Sequence, residues 1–416
     1  MADARLLRRT FVQLGVLLAA CGDDSESSGT SSSSTSGAGG RGSGGAGGTD
    51  GAGGTGGEGG SPPIGGFTDL SNLGPLQEPD ENGLRLPAGF TSRIIARSSE
   101  MVGSSGYVWH SAPDGGATFP TSDGGWIYTS NSELNAGLGG VGAMRFDAEG
   151  QLVDAYSILT GTSRNCAGGP TPWGTWLSCE EFGGGQVWEC YVDGQTTAVV
   201  RPGLGVFSHE AVAVDPATGH LYLTEDRPDG RLYRFRPDTD ADLSAGVLEA
   251  AEVSAQNVVS WLEVPDPSAA NDPTRNQVPS STPFDGGEGI WFFEGTVFFT
   301  TKGDNRVWAL EVGTGALTVL YDAATSPTPI LTGVDNVTVT PSGDVLVAED
   351  GGDMQIVVLP PGGTPTPLVQ VVGHASSEVT GPAFDPAHRR LYFSSQRGSA
   401  GNSASGITFE VTAPDR

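Results

Sequence analysis

Glu210-Ala211-Val212-Ala213-Val214-Asp215-Pro216-Ala217-Thr218-Gly219-His220-Leu221-Tyr222-Leu223-Thr224-Glu225-Asp226, closed by Leu232-Tyr233-Arg234-Phe235, reads as an acid, a strand, a turn, a second strand, two acids and a third strand. The runs at 211–214 and 221–224 are short, apolar and bounded by turn residues, which suits strands and not helices. Asp215-Pro216 and Gly219 supply the turn, because proline presets φ, aspartate caps its own backbone and glycine takes positive φ. The unit recurs: 336–344 leads through Pro341-Ser342-Gly343 to 345–350, and Pro382-Ala383-Phe384-Asp385-Pro386 leads to 391–395. Residues 289–295, 296–301 and 307–310 form another copy, and two less regular ones cover 107–160 and 165–200. Meanders repeated at such intervals define an all-β chain folded as a β-propeller. The stretch 67–416 holds six units of about 58 residues, so six blades are expected, with seven the competing ring. Arg93-Ile94-Ile95, ahead of the first unit, is placed to add the closing strand to the last blade.

The register of the acids carries the functional signal. Glu210, Glu288, Asp335 and Glu378 each stand just ahead of the first strand of a unit, the strand that normally lines a propeller's channel. Carboxylates aimed at one axial point repel strongly at low effective dielectric, so they require cations or raised pKa values. A second set, Glu225-Asp226 and Glu349-Asp350, follows the second strand. The plainer reading of both sets is that a repeat protein repeats its solvated surface acids.

Composition narrows the partners. The chain has 416 residues, 37% of them hydrophobic, and eight Trp, enough for a real core. Its formal charge is −28, and within 67–416 there are 17 Lys and Arg against 43 Asp and Glu, which excludes nucleic acid as an expected partner. Residues 1–21 read as an export signal: Arg8-Arg9-Thr10-Phe11 fits a twin-arginine pattern, and the short apolar run ends in the lipobox Leu18-Ala19-Ala20-Cys21. Cys21 is the expected lipidation site, tethering an exported protein to a membrane of the cell envelope. Residues 22–66 contain 19 Gly and 10 Ser, a composition that buries too little apolar surface to offset chain entropy, and read as a disordered linker. Beyond it, 67–416 is expected to be one propeller, as a monomer.

Three further cysteines remain in a compartment that permits disulfides. Cys179 and Cys190 flank the turn signal Gly183-Gly184-Gly185, so a hairpin with a disulfide between them is expected. Cys166 is then unpaired, which suits either a metal ligand or a buried inert thiol. It opens the string Asn165-Cys166-Ala167-Gly168-Gly169-Pro170-Thr171-Pro172-Trp173-Gly174-Thr175-Trp176-Leu177-Ser178-Cys179-Glu180-Glu181, which joins thiol, tryptophan anchors and adjacent carboxylates. Sulfur favours transition metals and paired carboxylates hold highly charged cations, so the mixture fits a mixed metal site.

This string resembles the hallmark of the PhoX-type alkaline phosphatases. Leu86-Pro87-Ala88-Gly89-Phe90, Asp114-Gly115-Gly116, Asn131-Ser132-Glu133, Ser208-His209-Glu210-Ala211, Gly287-Glu288-Gly289, Val347-Ala348-Glu349-Asp350-Gly351 and Glu378-Val379-Thr380-Gly381-Pro382 are similar to successive segments of the same family. The resemblance implies a propeller exported folded by the twin-arginine route, with calcium and iron in its channel and small phosphate esters as substrate. It implies metal ligation by Cys166, Glu181, Glu210, Glu288 and Glu378, and by Glu349 or Asp350. One departure matters: where the family has a phosphate-contacting arginine, two residues before Glu288, this chain has Gly286.

The leading expectation is therefore metal-dependent phosphomonoester hydrolysis. Two alternatives stand beside it: a calcium-dependent propeller hydrolase of other esters or lactones, with Asn336 as an amide at the channel, and a non-catalytic metal-binding surface lipoprotein, favoured by Gly286. His209 is read as a structural hydrogen-bonding residue and Trp173 and Trp176 as core anchors. Lys302 and Arg306 are read as surface ion-pair residues, or as replacements for the charge lost at Gly286.

Overall fold

The computed structural model describes residues 66–414. Among these residues there are six antiparallel sheets of four or five strands and no α-helix, and the sheets follow one another as the six blades of a propeller. The innermost strands are Pro113–Pro120, Asn165–Pro170, His209–Val214, Gly287–Phe293, Val334–Val339 and Val379–Phe384 in blades one to six. The second strands are Trp126–Ser132, Thr175–Glu180, Leu221–Glu225, Thr296–Thr301, Val345–Glu349 and Arg390–Ser395. The twin-arginine, lipobox and linker readings lie outside the described residues, apart from Gly66.

Local chemistry makes the hairpins. Asp215 accepts hydrogen bonds from the Ala217 amide and the Thr218 hydroxyl, and Asp385 from the amides of Arg389 and Arg390. These side chains satisfy turn amides that neither strand reaches. The ring closes as the sequence predicts: Thr91–Arg97 pairs with Ile407–Thr412 as the outermost strand of the sixth blade. A shorter strand, Leu84–Arg85, adds to the fifth blade by pairing with Thr366–Val371. The first described residues thus span the last two blades, where Phe67 packs against Phe90 and Phe384.

Every blade buries both faces. Six apolar clusters occur, one at each interface between neighbouring blades. Trp176 is buried between blades one and two, and its indole Nε1 donates to Asn131 Oδ1 at 2.8 Å, which places it in the core as expected. The same alternation rules out the expected Cys179–Cys190 disulfide. The strand partner of Cys179 is Val187 and that of Cys190 is Trp176, so the two cysteines are offset by three residues. An odd offset puts them on opposite faces: Cys179 joins the core against blade three and Cys190 the core against blade one, and both thiols are free.

Candidate metal centre

In blades one to five the inner strand slips register immediately after its first residue, between Pro113 and Gly116, Asn165 and Gly168, His209 and Val212, Gly287 and Ile290, and Val334 and Val337. The residues in these bulges are Asp114-Gly115, Cys166-Ala167, Glu210-Ala211, Glu288-Gly289 and Asp335-Asn336. A bulge re-aims one side chain out of the pleat, here an acid or thiol. The following residue is usually small because the inner strands nearly touch: a Cβ on Gly115 would lie 2.5 Å from Ala167 Cα, and one on Gly289 2.6 Å from Asn336 Cα. In blade six the slip falls later, between Thr380 and Ala383, and Glu378 stands just before the strand.

Three of the bulges are clamped by the preceding blade. Asn131 Nδ2 donates to the carbonyls of Cys166 and Ala167 at 3.1 and 2.8 Å, Thr300 Oγ1 to that of Asp335 at 2.6 Å, and Thr224 Oγ1 to that of Glu288. These three donors all occupy the next-to-last position of a second strand. The residue just after each second strand forms an outer ring at the channel mouth: Glu133, Glu181, Asp226, Lys302, Asp350 and Gln396.

Four overlapping groups result, each with ligand atoms within 4.8 Å of one another: Cys166, Glu181 and Glu210; Glu210, Glu288 and Asp335; Asp335, Asp350 and Glu378; and Asp114, Glu133 and Glu378. Glu210, Asp335 and Glu378 each belong to two groups, so the four form a chain of positions joined by shared carboxylates. Their electrostatics are strained. Burial, then the neighbouring carboxylates, hold Glu210 and Asp114 well above the usual range, and Glu288 and Glu378 rise likewise despite nearby cations. Burial pushes Glu181 up to about 8 and Asp335 up to about 7. Burial and then Asp114 and Glu210 raise the Cys166 thiol, which lies 3.7 Å from Asp114 Oδ2. Glu210 is 1% exposed, and its Oε1 has no hydrogen-bond partner.

An orphaned carboxylate oxygen in a crowd of acids fits bound cations, which would satisfy it and reverse the repulsion. The donor set fits calcium at the all-carboxylate groups and a transition metal such as iron where the thiol joins Glu181 and Glu210.

The structure brings together Cys166, Glu181, Glu210, Glu288, Asp350 and Glu378. Glu349 is corrected: both its oxygens are spent inside its own blade, accepting from the amides of Thr332 and Gln355 at 2.9 Å each. Strand alternation turns it from the channel that Asp350 faces. Asp114 and Glu133 enter the cluster without having been read as ligands, although an acid followed by a small residue at an inner-strand start marks Asp114 as it marks Glu210. Asn336 is committed to the scaffold, donating to Asp335 Oδ1 and accepting from the Gly381 amide. His209 is structural, stacked on Phe207 and bonded to the Gly205 carbonyl; burial drops its pKa to about 3. Lys302 lies at the channel mouth, and Arg306 faces outward between Asp304 and Asp322.

Fold and site together define an acid-mouthed, six-bladed β-propeller. The family model described as alkaline phosphatase PhoX matches residues 115–191 and 191–312, a run that begins in the first blade and ends in the fourth. Among solved structures, the PhoX of Pseudomonas fluorescens in complex with vanadate, a transition state analogue, superposes with a TM-score of 0.67 at 17% identity, covering 84% of this chain and 98% of that one. The gluconolactonase XC5397 of Xanthomonas campestris superposes with a TM-score of 0.51 at 13% identity, covering 82% and 99%. At these identities the likenesses show the fold. No curated protein matches the chain in sequence.

Proposed function

We propose that this propeller is a metal-dependent phosphomonoesterase, its centre of calcium and iron held at the channel mouth. The observation that carries the proposal is the chain of four ligand groups joined through Glu210, Asp335 and Glu378, with Cys166 at one end. The PhoX family match supports the same reading. Bare carboxylates would expel a phosphate ester; cations on them supply Lewis acidity and a field that attracts it. The protein's own part is positional. The bulges aim the ligands, Asn131, Thr224 and Thr300 lock the carbonyls beneath them, and Gln396 Nε2 ties Asp114 Oδ2 to Glu133 Oε2 at 2.6 and 2.8 Å. The lactone reading loses its support at Asn336, whose amide is spent inside the wall.

The chain is further proposed to be exported through Arg8-Arg9 and anchored in the cell envelope by lipid on Cys21. Cys21→Ala should release the protein from the membrane fraction; retention there would refute the anchor. For the centre, protein purified without chelator is subjected to elemental analysis and assayed on an aryl phosphate. Bound calcium and iron with turnover abolished by chelation are expected, and in Cys166→Ser the iron should fall sharply while the β-sheet circular dichroism persists. Metal without turnover would leave a binding protein, and unchanged iron in Cys166→Ser would overturn the thiol assignment.

A further inference from the structure

The outer ring at the channel mouth is Glu133, Glu181, Asp226, Lys302, Asp350 and Gln396, so the fourth blade places a cation where the others place an acid or an amide. Lys302 Nζ lies 2.8 Å from Glu288 Oε1, but 3.7 Å from Asp350 Oδ2 and 4.0 Å from Asp226 Oδ2. An ammonium has three N–H donors, and contacts beyond about 3.5 Å are not hydrogen bonds. Two donors are therefore left for a ligand, on a side chain that is 36% exposed at the mouth.

Arg397, the neighbouring cation, is differently placed. Its Nη1 donates to Glu378 Oε1 and Gln396 Oε1 at 3.0 and 2.8 Å, its Nε to the Ser376 carbonyl at 3.3 Å, and its Nη2 reaches Asp350 Oδ1 at 3.5 Å. Every guanidinium nitrogen is engaged with the protein. Gly286 lies beside Lys302 and Asp226, a Cβ on it falling 3.4 Å from Asp226 Oδ1. The glycine has φ +67°, which strains any side chain, and a Cβ there would lie 3.7 Å from Lys302 Cβ.

We propose that Lys302 is a substrate-binding residue that takes a non-bridging oxygen of a phosphate monoester, using the donors its carboxylate neighbours leave unspent. The inference rests on the phosphomonoesterase reading. Cations on Glu288 and the ring would compete with the ammonium for those carboxylates and leave it facing the anion. The ligand class is a compact dianion, since a single ammonium beside a metal centre recognises charge and not a planar fork.

The test compares metal-loaded wild type, Lys302→Gln and Lys302→Arg by elemental analysis, by calorimetric titration with inorganic phosphate, and by kcat and KM on an aryl phosphate. Lys302→Gln should keep its metal content and circular dichroism while phosphate affinity falls and KM rises about tenfold to a hundredfold, and Lys302→Arg should restore most of the loss. Phosphate affinity within twofold of wild type in Lys302→Gln would overturn the proposal while leaving the phosphatase intact. Metal content falling in step with affinity would also overturn it, making Lys302 a counter-ion of the scaffold. Metal-loaded wild type that neither binds phosphate nor turns over the ester would remove both readings together.

Discussion

Replacing Glu210 by Gln should change stability in opposite directions with and without metal. Glu210 belongs to two of the four ligand groups, and its ligand atom lies within 4.8 Å of those of Glu181, Glu288 and Asp335. At that distance, with an effective dielectric near 20, each ionised neighbour contributes about 3.5 kcal/mol of repulsion. Proton sharing among the acids reduces the total, so relief of about one such pair is the expected gain in protein stripped by chelation at alkaline pH. For a propeller of this size that raises Tm by about 5 °C. In metal-loaded protein the same change removes a ligand from two positions at once. A hundredfold loss of affinity at each, with cation in excess, lowers stability by about 2.7 kcal/mol per position. The assay is thermal unfolding of wild type and Glu210→Gln in chelator and in calcium with iron. Equal destabilisation in both media would make Glu210 an ordinary buried structural residue and refute the argument.

Wild-type protein stripped of metal should also lose stability as pH rises from 5 to 8. Glu181 at about 8 and Asp335 at about 7 have folded-state pKa values raised above their unfolded values, so deprotonation disfavours the fold progressively through that window. Unfolding by urea at pH 5 and pH 8 with chelator checks this, and equal or greater stability at pH 8 contradicts it. Asn131→Ala removes two donations to the Cys166 bulge and leaves Trp176 Nε1 and Ser178 Oγ without their acceptor. It should destabilise by about 3 kcal/mol or more and lower iron content with no ligand touched; full iron retention would show that the bulge needs no clamp.

Much of the propeller was legible because its determinants are local and repeated. The turn at Asp215-Pro216 and the short apolar strands around it identify a blade without reference to distant residues, and six such copies leave little choice of architecture. The acids were legible for the same reason: repetition put Glu210, Glu288 and Glu378 at the starts of inner strands, the first two inside a bulge and Glu378 just ahead of its strand. Asp114 escaped because its blade is less regular, with Pro113 and Gly115-Gly116 masking the strand start.

What the chain order alone could not decide were relations set by register and closure. The eleven-residue separation of Cys179 and Cys190 is compatible with a hairpin, but only the pairing of Cys179 with Val187 shows that the thiols enter different interblade cores. Glu349 and Asp350 are adjacent and equally acidic, yet pleating sends one to its loop amides and the other to the channel. Sequence by itself determined that this is a propeller with acids at its inner strand starts, since strand period and turn chemistry are properties of short segments. Tertiary structure decided that those acids are joined into one chain of shared carboxylates, with Lys302 over it, because closing six blades brings together residues more than 250 positions apart, such as Asp114 and Glu378.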